Sequence, residues 1–231
     1  SWVLAQVGAH VVLNDYKPVT LPATEEERLV SAGVEIITGR QDESLLDGVD
    51  RIVISPGISL DIPIVKAAQA RDIDVVSEVE LAYEVSKSPI VAVTGTNGKT
   101  TTTTLLTKVL EGSGKPVRVG GNIGDSLSEV AYSMPAGGFL VAELSSYQLE
   151  TIKHFRPIGA IMLNITPDHL ARHKTMESYI AAKERIFENQ LKSDYLVLNI
   201  DDSVVADMEH RAPSHILQIS QKQTVENGAY Y

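Results

Sequence analysis

The chain has 231 residues, 43% hydrophobic and 22% charged, with no cysteine and a formal net charge of −10. This composition excludes wholesale disorder, a disulfide framework, thiolate metal sites and a cysteine nucleophile. It leaves room for one large or two small domains, and it argues against nucleic acid as a partner. The acidic excess is uneven: residues 1–88 carry a net −8 and residues 89–231 only −2, so the second part tolerates an anionic ligand.

Residues 2–7 read as the end of a helix, with Gly8 as its C-cap. Strands are expected at 10–15, 34–38, 51–55 and 74–77. Helices are expected at 25–32, with Thr24 as N-cap, at 63–71, with Pro63 early in the first turn, and at 78–85. Strand–helix alternation of this kind implies βαβ units and a parallel sheet, with ligands off the carboxyl ends of strands. Asp15, Ser55 and Gly57 fall at such ends. The opening strand and Gly-rich turn of a nucleotide-binding α/β unit are missing, so the N-terminus reads as cut away. Residues 86–89 read as a linker and divide the chain into 1–88 and 89–231.

The second part is again α/β. Strands are expected at 90–93, 116–119, 139–144, 158–163, 195–199 and 215–219, and helices at 99–111, 126–132, 176–191 and 203–210. No closing helix follows residue 228, so this end also reads as truncated. No run reaches the roughly 18–20 apolar residues of a membrane helix and no signal peptide is evident. The expectation is a cytoplasmic protein without membrane insertion.

Thr94-Gly95-Thr96-Asn97-Gly98-Lys99-Thr100-Thr101 sits between a buried strand and a helix, where a phosphate loop belongs. Gly95 and Gly98 let backbone N–H groups converge on phosphate oxygens, and the helix N-terminus adds partial positive charge. Lys99 supplies a point charge for β/γ-phosphates, and the Thr100 hydroxyl is a Mg²⁺ donor. The general pattern wants Gly six residues before the Lys, and Val93 stands there. Glu143 ends an apolar strand and is either an ordinary strand-end acid at the surface or, beside a phosphate loop, a hard oxygen donor for Mg²⁺, the reading the pairing favours.

In Asn164-Ile165-Thr166-Pro167-Asp168-His169, Pro167 fixes a turn that presents Asp168 and His169 at a strand exit. His169 is then either a surface residue or a metal ligand, with Asp168 orienting it or lying one layer further out. His173 reads as a surface residue. In the 176–191 helix, Tyr179, Ala182, Lys183, Ile186 and Phe187 share one face. Lys183 is then either a snorkelling lysine or a buried amine of lowered pKa, which can add CO₂ and become an anionic oxygen ligand.

These segments resemble a known family. Residues 94–100 resemble the phosphate loop of the Mur ligases and the folylpolyglutamate synthases. Glu143-Leu144-Ser145-Ser146-Tyr147-Gln148-Leu149-Glu150 is similar to the segment marking the D-glutamate-adding branch of the Mur ligases. Residues 55–58, 120–124, 164–173 and 181–186 match that branch in order, except that Ala171 stands where a second Asp is usual. The resemblance implies a Rossmann-like first domain and a central domain like those of phosphate-loop NTPases, both incomplete, in about half of a three-domain ligase.

It also implies a reaction. The L-alanyl carboxylate of UDP-N-acetylmuramoyl-L-alanine is phosphorylated by ATP, and the acyl phosphate is attacked by D-glutamate, in peptidoglycan precursor synthesis. By this resemblance residues 95–101 hold ATP, with Lys99 catalytic and Thr100 and Glu143 on Mg²⁺. His169 and carbamoylated Lys183 hold a second Mg²⁺. Asn122, Ser145 and Gln148 line the sugar pocket, and Asp15, Ser55 and Gly57 approach the uridine end. A monomer is expected, inactive as a fragment. The alternatives are a folylpolyglutamate synthase-type ligase and a non-catalytic nucleotide-binding module.

Overall fold

The computed structural model describes all of residues 1–231. It divides them into two compact units, Ser1–Ile52 with Leu60–Val75, and Val53–Ser59 with Val76–Tyr231.

The first unit holds α1 (Trp2–Gln6), β1 (Val12–Asp15), α2 (Ala23–Ser31), β2 (Glu35–Thr38) and α3 (Pro63–Ala70). β1 and β2 pair in parallel, Val12 opposite Glu35 through Asp15 opposite Thr38. Their small core is Val11, Leu29 and Val34, with Trp2, Leu4, Leu13 and Ile36 packed against it. α2 begins earlier than expected, after Pro22 rather than Thr24, and no side chain caps it. Pro22 needs no N–H partner, and its carbonyl accepts from Glu25 and Glu26.

β3 (Arg51–Ile54) and β4 (Asp74–Ser77) form their own two-stranded sheet, and the boundary of the units crosses both strands. A single parallel sheet over residues 1–88 was expected; these four-residue strands instead pair two by two.

The second unit contains α4 (Glu78–Val85), β5 (Ile90–Thr94), α5 (Lys99–Glu111), β6 (Val117–Gly121), α6 (Leu127–Ser133), β7 (Phe139–Glu143), α7 (Ser146–Leu149), β8 (Gly159–Met162), α8 (Leu170–His173), α9 (Met176–Glu184), β9 (Tyr195–Asn199), α10 (Ser203–Asp207), β10 (His215–Ser220) and β11 (Gly228–Tyr230). Its seven-stranded sheet runs β11-β10-β9-β8-β5-β7-β6, and every pair is parallel. Ala92, Leu140, Ala142, Ala160, Met162, Leu196 and Leu198 fill its core, as near-continuous apolar strands covered by helices require. The chain leaves β5 for one edge, returns through β7, then crosses to β8 on the other side. β5 is therefore where the strand order reverses, and the ends of β5, β7 and β8 flank the crevice.

The units do not follow the expected break after residue 88. α4 belongs to the second unit, where buried Glu80 accepts backbone N–H bonds from Lys153, His154 and Phe155 at 2.7, 2.7 and 3.1 Å. The 176–191 helix is also shorter than expected. α9 stops at Glu184 and tightens into a 3₁₀ turn over Arg185–Phe187. There the Arg185 guanidinium donates to the carbonyls of Leu149, Glu150 and Ile152, just past α7. No helix is long and apolar enough to cross a membrane.

Candidate functional site

Thr94 ends β5 and is fully buried, its hydroxyl donating to the Leu144 carbonyl at 2.8 Å. The loop from Gly95 then turns into α5 through Gly98, which caps the helix with φ +82°, a left-handed conformation that favours glycine. Asn164, two residues beyond β8, clamps this loop. Its Oδ1 accepts from the Asn97 N–H at 2.9 Å, its Nδ2 donates to the Asn97 carbonyl at 3.0 Å, and its own carbonyl accepts from Thr96 N–H at 2.8 Å. Thr96 Oγ1 extends the contact by accepting from Thr166 N–H at 3.0 Å. Its position directly after an apolar strand is the sequence signal for the role of Asn164.

Lys99 folds back over the loop, donating to the carbonyls of Gly95 and Thr96 at 3.1 and 2.9 Å. Thr100 and Thr101 follow in the exposed first turn of α5. Lys183 approaches from α9 and donates to the same Gly95 carbonyl at 2.7 Å. It is 2% exposed. Burial, helped by the positive charge of Lys99 and opposed by Asp168, lowers its pKa to about 7. The snorkelling alternative is therefore excluded: the ammonium end does not reach solvent.

Glu143 ends β7 beside β5 and is 1% exposed. Its Oε1 accepts from Asn122 Nδ2 at 2.9 Å, and its carbonyl accepts from Asn122 N–H at 2.8 Å. Its Oε2 is buried and has no partner. A buried carboxylate oxygen without a donor is costly, so this atom fits a hard cation better than any other group here. The approach of β6 is close: a Cβ at Gly121, where φ is +109°, would meet the Glu143 carbonyl oxygen at 2.4 Å. Asn122, expected on the sugar, holds the Glu143 carboxylate.

Ser145 and Gln148 form a capping box on α7. The Ser145 Oγ accepts from Gln148 N–H at 3.3 Å, and the Gln148 Oε1 accepts from Ser145 N–H at 3.0 Å. Expected to line a substrate pocket, they bond to each other, and Gln148 is buried. The Ser-x-x-Gln spacing was the sequence signal for this short helix. His169 caps α8 with φ +54° and is half-exposed. Asp168 accepts from its backbone N–H at 2.8 Å, and the other Asp168 carboxylate oxygen lies 3.5 Å from its Nε2.

His173 is buried, contrary to the surface expectation, and burial lowers its pKa. Periodicity gave no warning, because α8 is only four residues long. No three His, Asp or Glu side chains converge as a ready metal cage. Asp15 is exposed, with its Oδ1 on the Lys17 N–H at 2.8 Å. The Ser55 carbonyl accepts from Ile58 N–H at 3.0 Å across Gly57, and both residues belong to the second unit.

A parallel sheet whose central strand opens into a lysine-bearing phosphate loop, with a buried carboxylate on the neighbouring strand end, defines a nucleotide-binding α/β class. The family described as "Mur ligase middle domain" matches residues 93–229, and "Mur ligase MurD-like, N-terminal domain" matches residues 4–77. The chain belongs to the Mur ligase family.

Among its relatives, a UDP-N-acetylmuramoylalanine–D-glutamate ligase of Caldanaerobacter subterraneus is 47% identical over 99% of this chain and 51% of its own length. One from Halalkalibacterium halodurans is 43% identical over 99% and 50%. The chain thus spans about half the length of the curated relatives it matches. Two solved structures share the fold. A UDP-N-acetylmuramate:L-alanyl-gamma-D-glutamyl-meso-diaminopimelate ligase from Neisseria meningitides has a TM-score of 0.62 at 20% identity, covering 97% of this chain and 76% of that one. A MurF ligase from Thermotoga maritima in complex with ADP has a TM-score of 0.56 at 19% identity, covering 92% and 48%.

Proposed function

We propose that this chain carries the nucleotide site of an ATP-dependent ligase that joins D-glutamate to UDP-N-acetylmuramoyl-L-alanine in the cytoplasm. The observation that carries the reading is the orphaned Glu143 Oε2 on the strand beside the Lys99 loop. The relatives named above supply the substrate pair. Residues 95–101 would cradle the phosphates of ATP, and Lys99 would exchange its two loop carbonyls for β/γ-phosphate oxygens. Glu143 and Thr100 would hold one Mg²⁺; His169 and Lys183 as its carbamate would hold a second. Bound there, the cations neutralise charge that otherwise keeps phosphate and carboxylate apart.

In the reaction, an oxygen of the L-alanyl carboxylate attacks the γ-phosphorus and ADP leaves. The D-glutamate amine then attacks the acyl carbon, losing a proton as inorganic phosphate departs. The carbamate forms when the neutral Lys183 amine attacks CO₂, making a C–N bond and releasing one proton. A pKa near 7 keeps a large fraction of that amine neutral at physiological pH. Asn122, Ser145 and Gln148 remain candidates for the sugar side, and Asp15, Ser55 and Gly57 for the uridine end. Turnover is expected to need the half of the relatives' length that this chain does not span.

Calorimetric titration of the full chain with Mg·ATP tests the reading. Binding is expected, and Lys99→Ala should weaken it at least tenfold with little change in melting temperature. A wild-type chain that takes up no nucleotide overturns the proposal. ¹³C-bicarbonate should give a carbamate resonance that Lys183→Met removes.

A further inference from the structure

His173 ends α8 and is buried. Its Nε2 lies 2.8 Å from the Ser146 Oγ, and its Nδ1 lies 3.5 Å from one Glu150 carboxylate oxygen. The other Glu150 oxygen accepts from Arg172 at 2.6 Å. Hydroxyl, imidazole and carboxylate in that order also describe an activated serine. Ser146, however, is 1% exposed, so no substrate reaches it.

The neighbours show what the arrangement does instead. The His173 ring stacks on Tyr147 at 5.4 Å and 20°, and tilts against Tyr179 at 5.2 Å. The same two tyrosines flank His169, with ring centroids at 5.0 and 6.4 Å. Tyr179 also bonds through its hydroxyl to Thr96 Oγ1 at 3.0 Å, and its ring centroid lies 4.9 Å from Lys183 Nζ. One buried imidazole therefore braces both walls of the His169 position, and one of those walls touches the phosphate loop and Lys183.

We propose that His173 is a positioning residue: held by Ser146 and Glu150, it fixes Tyr147 and Tyr179 as the walls that orient His169 and seat Lys183. The assignment rests on the reading above that these groups form the reaction site. The carboxylate favours hydrogen on Nδ1, which leaves Nε2 to accept the Ser146 hydroxyl. No atom of His173 touches the reacting groups; it acts through the two rings.

The test uses the full chain labelled with ¹⁵N-histidine, which reports the tautomer and ring environment of each of the six histidines. His173 should show a single neutral form protonated on Nδ1. His173→Phe keeps a ring between the tyrosines and loses the Ser146 hydrogen bond and the Glu150 contact; Ser146→Ala removes only the hydroxyl. Both should shift the His169 ring resonances and weaken their broadening by Mn²⁺ about tenfold, the scale for losing an outer-shell partner. Unchanged His169 signals in folded variants overturn the proposal. If His173→Phe does not fold, Ser146→Ala decides alone. If the wild type binds no nucleotide, the functional reading fails, while the resonance shift still tests the bracing.

Discussion

The two units handle charge in opposite ways. In the first, charged side chains stay at the surface: Arg71 pairs with Glu43 and Asp47, and Arg40 with Asp42, all at least 39% exposed. In the second, Glu80, Glu143 and Lys183 lie at 1, 1 and 2% exposure. The sheets explain the difference. A pair of four-residue strands over a small core cannot enclose an ion. A seven-stranded sheet with helices packed on it can. Each buried charge must then be partnered or be ready for a ligand. Glu80 is partnered by three N–H groups, Glu143 keeps one oxygen free, and Lys183 gives up part of its charge.

Four substitutions would break or sharpen this contrast. The largest effect is expected from Glu80→Ala, which strips the acceptor from three backbone donors and should cost about 3 kcal/mol in denaturant unfolding; a loss below ~1 kcal/mol would make Glu80 equivalent to a surface acid. Next comes pH. The Lys183 pKa falls from 10.5 to about 7 on folding, so above pH 7 the unfolded chain binds more protons than the folded one. Stability conferred by this site must therefore rise with pH between about 7 and 10.5. In CO₂-free buffer the wild type should gain about 2 kcal/mol over Lys183→Met between pH 7 and 9, measured by urea unfolding. A flat difference would mean that Lys183 is solvated.

Gly121→Ala places a methyl against the Glu143 carbonyl at a positive φ. It should cost about 2 kcal/mol and weaken Mg·ATP binding by displacing Glu143, as calorimetry would show. The smallest change is expected in the first unit. Arg71→Ala loses two exposed ion pairs and should alter stability by no more than about 1 kcal/mol; a larger loss would erase the contrast.

Much of the second unit was legible because its strands are uninterrupted apolar runs and its phosphate loop is local in sequence. Lys183 was legible too, since helical spacing put it on the packed face of α9. The unread features are those set by contacts between distant segments. The burial of His173 depends on Ser146 and Tyr147 of α7 and on Tyr179 of α9, two elements outside its own helix. The seating of α4 depends on Glu80 meeting the backbone of residues 153–155, which no window around residue 80 contains. The partners of Asn122 and Gln148 were missed for a different reason: resemblance assigned them outward, toward a ligand, while their nearest acceptors and donors lie inside the fold.

The Gly95 carbonyl accepts from both Lys99 and Lys183. A single oxygen atom is therefore the junction of two lysines, which under the function proposed above would go one to phosphate and the other to CO₂. Removing the charge from Lys183 relieves the repulsion felt by Lys99, and drawing Lys99 away leaves the oxygen to Lys183. By reciprocity, whatever ties down one lysine must alter the hold on the other to the same degree. The order in which nucleotide and CO₂ arrive should leave the final state of the loop unchanged while changing the route to it.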